Sequence, residues 1–301
     1  MMRPEDTFAA CVEDLGLPRT GAVDRKGVYE PVARWVVSQV GPKPVVVGVT
    51  GAQGSGKSTF CQLLACWLEA EHGLNVVVVS IDDLYSTLAE RRELARTVHP
   101  LCAVRGVPGT HDVALGMDLF NRFDAALSDS HTPVPRFDKG CDDRVLRSGW
   151  DVATGRPDVV LFEGWCVGTS VPTSGTEPTN NRERKEDPDG TWRRWSDAAL
   201  RDDYGPLFGR IDAQVFIKVP SMQTVRQGRW LQEKKRWEAA ERAGTVADNP
   251  GLLTQDEVNA YVDLFERHTR HIFATMVSTA DVLITQGDDF QQTLVRVPGL
   301  S

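Results

Sequence analysis

The chain has 301 residues, of which 34 are basic and 42 acidic, so its formal net charge is −8. Its 41% hydrophobic and 25% charged content excludes a mostly disordered or fibrous protein. The acidic balance disfavours nucleic-acid binding, and the longest apolar run, residues 45–49, is too short to span a membrane. Because six cysteines are scattered along the chain and no secretory leader pattern is present, we expect a cytoplasmic protein with reduced thiols.

Short β-branched runs alternate with amphipathic stretches along most of the chain. Residues 1–43 predict a helical preface, because their apolar side chains recur at helical spacing until G-P-K-P interrupts the pattern. Five runs predict buried strands, at residues 45–49, 76–79, 159–162, 215–217 and 282–284. Helices are predicted between them, at residues 88–98, 113–127, 222–242 and 255–278. This order predicts an α/β fold with a five-stranded parallel sheet flanked by helices.

A glycine-rich motif follows the first predicted strand and opens the next helix. It fits G-x-x-x-x-G-K-[ST] through Gly51, Ala52, Gln53, Gly54, Ser55, Gly56, Lys57 and Ser58, followed by Thr59. The glycines let successive backbone N–H groups turn toward phosphate oxygens, Lys57 reaches the β- and γ-phosphates, and the Ser58 hydroxyl binds Mg²⁺. The alternative is a glycine-rich turn with an incidental lysine. The strand–loop–helix context favours ATP or GTP binding.

Three carboxylates stand at the ends of predicted strands. Asp82 and Asp83 follow the second strand and Glu163 follows the third, where parallel sheets bind their ligands. One aspartate can accept a hydroxyl proton while the other contacts Mg²⁺ or substrate, and Glu163 can hold the Mg²⁺ hydration shell. The alternatives are a helix N-cap for the aspartates and a solvated strand end for the glutamate. We predict Lys57, Asp82 and Glu163 as catalytic and Ser58, Asp82 and Glu163 as metal ligands.

Two charged loops, residues 105–112 and 134–144, connect the strands above the predicted sheet. Arginines in such loops grip a carboxylate or phosphate with two hydrogen bonds, while aspartates accept hydrogen bonds from hydroxyls. As charge clusters alone they are more typical of solvated loops, but their location favours substrate binding. The candidate substrate-binding residues are Asp83, Tyr85, Arg105, His111, Asp112, Arg136, Asp138 and Arg144.

The helix predicted at 222–242 is strongly basic although the chain is acidic. Basic lids of this kind close over phosphates, exclude water and stabilise the transferring charge. We therefore predict a lid around residues 222–251, with Arg226 and Arg229 contacting the nucleotide. The alternative is a solvated helix face, balanced by its own glutamates. A polar segment without periodicity, 172–190, predicts an insertion around 172–210 within one domain spanning residues 44–301.

Five motifs together resemble one family of kinases. They are G-A-Q-G-S-G-K-S-T (51–59), S-I-D-D-L-Y (80–85), R-G-V-P-G-T-H-D (105–112), V-P-R-F-D-K (134–139) and L-F-E-G-W-C-V-G (161–168). The set resembles D-glycerate 3-kinases of the plant and fungal type and their bacterial relatives. These belong to the P-loop small-molecule kinases that also include uridine kinase, phosphoribulokinase and pantothenate kinase. The similarity extends from about residue 30 to residue 290.

The resemblance implies a P-loop kinase fold with a helical lid, and ATP with Mg²⁺ as cofactors. It implies phosphorylation of a hydroxyl of a small acid, with D-glycerate giving 3-phosphoglycerate. By position, Asp82 would be the base, and Asp112 would hold substrate hydroxyls as in the uridine kinase branch. The candidates for binding the glycerate carboxylate are Arg105, Arg136 and Arg144.

Two departures from the family pattern leave the acceptor open. Leu84 stands where relatives commonly have phenylalanine, and residues 186–193 are closer to the bacterial relatives. A related kinase acting on a nucleoside, a sugar phosphate or a pantothenate-like acid is therefore an alternative. A regulatory ATPase that hydrolyses ATP slowly is an alternative of another class. A pure switch would not need the charged loops 105–112 and 134–144, which favour the kinase.

Overall fold

The computed structural model describes residues 3–17, 23–172, 177–245 and 252–299. Its helices are α1 Pro4–Asp14, α2 Glu30–Gln39, α3 Lys57–His72, α4 Leu88–Thr97, α5 Val113–Ala125, α6 Asn181–Glu186, α7 Thr191–Asp202, α8 Tyr204–Phe208, α9 Met222–Ala243, α10 Gln255–Asp263 and α11 Glu266–Thr279. Its strands are β1 Val45–Gly51, β2 Val76–Ser80, β3 His131–Val134, β4 Phe137–Asp138, β5 Asp143–Arg144, β6 Asp151–Thr154, β7 Val159–Gly164, β8 Ala213–Lys218, β9 Val282–Gln286 and β10 Gln292–Arg296. The end of the predicted lid, 246–251, and positions 173–176 of the predicted insertion lie outside the described residues.

The central sheet has six strands in the order β10-β9-β8-β1-β7-β2. Strand β1 lies between β7 and β8 and is buried along its whole length, as its continuous apolar run predicts. Five strands run parallel, and β10 adds an antiparallel edge beside β9. The predicted α/β class is confirmed. The additional edge strand β10 was not predicted. Most of its side chains are exposed, so it lacks the continuous apolar run that indicated the other strands.

The sheet separates two apolar cores, and successive side chains of β1 enter opposite ones. Val47 belongs to the core that also contains Phe8 of α1 and Phe60 of α3. Val46 belongs to the other core, with Phe120 of α5 and side chains from α7 and α11. Helices therefore cover both faces, and the loops at the carboxyl ends of the strands are left at one edge of the sheet.

A disulfide connects the N-terminal helix to the helix that follows the glycine-rich motif. Cys11 of α1 is bonded to Cys66 of α3. The other four cysteines are free: Cys61, Cys102, Cys141 and Cys166. The expectation that every thiol is reduced is therefore wrong for this pair. The two bonded cysteines are 55 residues apart, so no short sequence spacing could have indicated the bond.

Helices differ from the prediction in two places. The stretch 255–278 forms two helices, because the amides of Leu264 and Phe265 bond to carbonyls three residues back and the tightened turn buries both side chains. Helix α6 forms within the polar stretch 172–190, where no periodicity indicated it, and α7 follows that stretch as an amphipathic helix that was not predicted. Their inward faces carry charge, since Glu183 and Arg193 are both buried. No helix among the described residues has the length and apolarity that a bilayer-spanning segment needs.

One buried arginine joins the loops that border the carboxyl edge of the sheet. Arg91 of α4 is only 1% exposed. Its guanidinium donates hydrogen bonds to the carbonyls of Ser86, Ala103 and Asp142, at 3.2, 2.8 and 2.6 Å. It also forms a 2.9 Å ion pair with the Asp142 carboxylate, which in turn binds the guanidinium of Arg105. Arg91 thus holds three separate loops in one arrangement.

Replacing this arginine by an apolar residue of similar length should destabilise the fold. In Arg91→Met, three carbonyls and the Asp142 carboxylate lose the donor that a buried side chain supplies, so the free energy of unfolding should fall by about 3 kcal/mol. Urea denaturation followed by circular dichroism measures the change. The neighbouring Arg92 is exposed, and Arg92→Met should stay within about 0.5 kcal/mol of the wild type. Equal stability of the two variants would contradict the role assigned to Arg91.

Candidate active site

A cavity of about 280 Å³ lies at the carboxyl edge of the sheet, between the glycine-rich motif and α9. Nine of the residues singled out in the sequence line it: Gln53, Gly54, Lys57, Ser58, Asp82, Tyr85, Arg105, Glu163 and Arg229. Five further lining residues were not among the predicted site residues: Lys139, Trp165, Gln232, Arg236 and Tyr261. The cavity therefore brings together side chains from the glycine-rich motif, two strand ends, both charged loops and the basic helix.

The glycine-rich motif forms a tight loop against α9. Gly54 has a φ of +79° and Gly56 a φ of +73°, a region that favours glycine. A Cβ atom on Gly54 would lie 2.7 Å from the carbonyl carbon of Gly228 in α9, so the close approach also requires glycine. The buried hydroxyl of Ser55 has no hydrogen-bond partner among the described residues. The loop thus offers its backbone and one unused hydroxyl, as a phosphate-binding loop does.

The first helical turn of α3 faces the end of β7. The Ser58 hydroxyl donates a 2.8 Å hydrogen bond to Oε1 of Glu163, which is 5% exposed. The Lys57 ammonium lies 3.4 Å from the carbonyl oxygen of Ala52, within the loop itself. A hydroxyl and a carboxylate in contact supply the hard oxygen ligands that Mg²⁺ prefers. These residues therefore fit a magnesium–triphosphate complex.

Asp82 points into the cavity and is held from two sides. The Tyr85 hydroxyl donates to its Oδ1 at 2.6 Å, and the Lys139 ammonium donates to its Oδ2 at 2.6 Å. Burial alone would raise the pKa of Asp82, but the charge and hydrogen bond of Lys139, together with the Tyr85 hydroxyl, lower the pKa to about 2. The Asp82 carboxylate is therefore ionised at neutral pH.

The neighbouring carboxylate, Asp83, points away from the cavity. Its Oδ1 accepts the backbone N–H of Phe137 at 3.0 Å, and its Oδ2 accepts a 2.8 Å hydrogen bond from Arg136. Arg136 also pairs with Asp151 at 2.7 Å. The structure does not bring Asp83 and Arg136 into the cavity, because they secure β4 to the end of β2.

Other predicted loop residues are also engaged outside the cavity. Asp112 is the N-cap of α5, where it accepts the N–H of Leu115 at 2.9 Å, and it pairs with Arg144 at 3.0 Å. Asp138 accepts backbone N–H groups in its own turn. His111 is buried, its Nδ1 lies 2.5 Å from the Tyr204 hydroxyl, and burial lowers its pKa to about 4. These four residues do not line the cavity.

The remaining predicted residues border the cavity or lie beside it. Arg105 lines it, with its guanidinium bound by Asp142 and 5.7 Å from the Phe137 ring. Gly51 is the last residue of β1, and Ala52 is buried. Gly56 and Thr59 line an adjacent cavity of about 340 Å³ that is also bordered by Phe290 and Gln292.

Helix α9 presents different arginines to different neighbours. Arg229 and Arg236 line the 280 Å³ cavity, and the Arg229 guanidinium lies 5.5 Å from the centre of the Tyr261 ring. Arg226 instead pairs with Asp263 at 2.8 Å and Glu266 at 3.1 Å, connecting α9 to α10 and α11. Arg236 follows Arg229 by seven residues, or two helical turns, so helical periodicity could have indicated that the two share a face.

Two other lining residues were not indicated by any local sequence pattern. Lys139 is the last residue of the motif V-P-R-F-D-K, but nothing in that motif indicates that its ammonium reaches Asp82. Tyr261 lies in α10, far along the chain from the charged loops, and carried no signal. Both positions depend on contacts between distant segments, which a local pattern does not report.

No protein-family model matches the chain. It is 33% identical over 216 residues to the Schizosaccharomyces pombe protein named "Uncharacterized kinase mug58", an alignment that covers 68% of this chain and 76% of that protein. It is 30% identical over 159 residues to the chloroplastic D-glycerate 3-kinase of Arabidopsis thaliana, covering 46% of this chain and 34% of the plant enzyme.

Solved structures show the same fold. A D-glycerate 3-kinase from Cryptococcus neoformans aligns with a TM-score of 0.63 at 23% identity, covering 89% of this chain and 99% of that one. The YGR205w protein also aligns with a TM-score of 0.63 at 19% identity, covering 98% of this chain and 100% of that one. The predicted relationship to the D-glycerate 3-kinases is confirmed as homology by the plant enzyme. Because the fission-yeast alignment covers more than two thirds of both proteins, this chain belongs to the mug58 family of P-loop kinases, which is homologous to D-glycerate 3-kinase.

Proposed function

We propose that this kinase transfers the γ-phosphoryl group of ATP to a hydroxyl of a small organic acid, and that the acid is D-glycerate. One observation carries the proposal: the phosphate-binding side chain of Lys57, the ionised Asp82 and the cation Arg105 all line a single cavity. Its volume of about 280 Å³ suits a phosphoryl group together with a small acceptor. The homologous plant enzyme, named D-glycerate 3-kinase, supports the choice of acceptor.

The nucleotide half of the site is formed by the P-loop and the end of β7. In the proposal, the loop N–H groups and Lys57 bind the phosphates, and Ser58 and Glu163 hold Mg²⁺. Bound Mg²⁺ supplies neutralisation of the charge on the transferred phosphoryl group. The nucleoside would extend past Thr59 into the adjacent cavity beside Phe290, because that cavity begins at the same loop.

Asp82 is the residue that we assign as the base. Its carboxylate faces the same cavity as Lys57 and accepts the proton of the acceptor hydroxyl as the phosphoryl group is transferred. Tyr85 and Lys139 fix its orientation through the two 2.6 Å hydrogen bonds. If Lys139 moves to the carboxylate of the acid, Asp82 loses its main cationic partner and becomes a stronger base.

The acceptor half of the site favours an acid over a neutral acceptor. Of the three arginines considered for the substrate carboxylate, Arg105 lines the cavity, whereas Arg136 and Arg144 are held outside it by aspartates. Lys139, with a side chain that is 60% exposed, lies in the cavity as well. Arg105 and Lys139 can therefore bind the carboxylate while the hydroxyl faces Asp82.

A screen of acceptors tests the proposed reaction. We expect D-glycerate to accelerate ADP formation from ATP with Mg²⁺, and uridine, ribulose 5-phosphate and pantothenate to leave it near the rate without acceptor. Chromatography of the product should identify a phosphorylated acid. Acceleration by another acceptor alone would replace D-glycerate and keep the kinase reaction. Slow ATP hydrolysis that no acceptor changes would favour a regulatory ATPase instead.

Removing the charge of the base should abolish most of the turnover. In Asp82→Asn the amide cannot accept the proton, so kcat should fall by about 10²- to 10⁴-fold, the usual contribution of a general base. Binding of a fluorescent ATP analogue should change little, because the P-loop is intact. Asp118→Asn, at an exposed position on α5, is the matched control. A wild-type kcat in Asp82→Asn would refute the assignment of the base.

Arg105 should govern affinity for the acid and not for the nucleotide. In Arg105→Met the loss of a charge-assisted hydrogen bond should raise KM for D-glycerate by about 10- to 100-fold and leave KM for ATP unchanged. Steady-state kinetics with each substrate varied separately measures both constants. The exposed Arg147 provides the control variant Arg147→Met. If only KM for ATP rises, the arginine contacts the nucleotide and not the acid.

A further inference from the structure

The basic helix α9 contains one buried acid among exposed neighbours. Glu233 is 0% exposed, whereas Gln232 and Lys234 on either side of it are exposed. Its carboxylate accepts hydrogen bonds from Arg229 at 2.9 Å, from Arg236 at 2.9 and 3.0 Å, and from the backbone N–H of Leu253 at 3.0 Å. Both oxygens are therefore used, and every charged partner is an arginine.

The two arginines bound by this acid are the two arginines of α9 that line the cavity. Arg229 precedes Glu233 by four residues and Arg236 follows it by three, a spacing that places all three on one helical face. Glu233 itself does not line the cavity. Two guanidinium groups on one face repel each other, and a carboxylate between them offsets that repulsion and fixes both orientations.

The surroundings of Glu233 keep it ionised. Burial would raise its pKa, but the Leu253 N–H and the two arginines outweigh burial and lower the pKa. The bond to Leu253 also connects α9 to the residue that precedes the N-cap of α10. Helix α10 carries Tyr261, whose ring lies beside the Arg229 guanidinium. Glu233 thus connects Arg229 and Arg236 to α10, which contributes Tyr261 to the lining of the cavity.

We propose that Glu233 is a positioning residue of this kinase, which holds Arg229 and Arg236 toward the phosphates of the nucleotide. It binds no substrate and acts only through the two guanidinium groups. In contrast, Arg226 is held by acids of α10 and α11 outside the cavity. This inference rests on the proposed nucleotide half of the site, and it is independent of the identity of the acceptor.

Binding of a non-hydrolysable ATP analogue with Mg²⁺, measured by calorimetry, tests the role without an acceptor. In Glu233→Gln the charge is lost while the shape is kept, so Kd should rise by about 10-fold. In an Arg229→Gln/Arg236→Gln background, adding Glu233→Gln should change Kd by less than about 2-fold, since the acid then has nothing to position. An equal, additive loss in that background would overturn the proposal.

Two controls separate positioning from a general loss of structure. Glu238→Gln, at an exposed position of the same helix, should leave Kd unchanged. Glu233→Asp keeps the charge on a shorter side chain and should recover part of the affinity lost in Glu233→Gln. If Glu233→Asp binds no better than Glu233→Gln, the charge is not what matters and the proposal fails. If the wild type binds the analogue but phosphorylates no acceptor in the screen, the proposed reaction is refuted and the role of Glu233 is not.

Discussion

The concentration of positive charge in one cavity is the constraint on which the site depends. The lining residues include five cations, Lys57, Arg105, Lys139, Arg229 and Arg236, and two carboxylates, Asp82 and Glu163, although the whole chain carries a net charge of −8. Cations this close repel one another unless acids hold them apart. The acids that do so lie partly behind the cavity wall. Asp142 binds Arg105, and Glu233 binds Arg229 and Arg236.

The charged groups of the cavity are thus held in position by residues of the surrounding loops. Asp142 is itself fixed by the buried Arg91, so the position of Arg105 depends on a helix that does not reach the cavity. The arginines that line the cavity are therefore secured by a second set of charged residues, among which Arg91 is 1% and Glu233 0% exposed. Burial makes such pairs sensitive to the loss of either partner, since the remaining charge stays in a medium of low dielectric constant. Loops anchored in this way can carry a precise site without regular secondary structure.

Local sequence patterns predicted the features that depend on consecutive residues. The run at 45–49 is apolar at every position because β1 is covered on both faces, and the P-loop is a single contiguous motif. Asp82 and Asp83 could not be separated in the same way. The short 3₁₀ helix Ile81–Leu84 turns the first toward the cavity and the second toward β4, although they are adjacent in sequence. Which acid holds which arginine is likewise decided by contacts between distant segments, as for Arg136 and Arg144.

The contact between Gly54 and Gly228 has a consequence for movement. Because the backbones touch there, this point of α9 cannot separate from the P-loop without opening a gap between the two segments. Arg229 is the next residue, so the position of its backbone relative to the P-loop is set by this contact. Arg236 lies two turns farther along, where it is bound by the Glu233 carboxylate. Any swing of α9 about this pivot would therefore displace the backbone of Arg236 by several times more than that of Arg229.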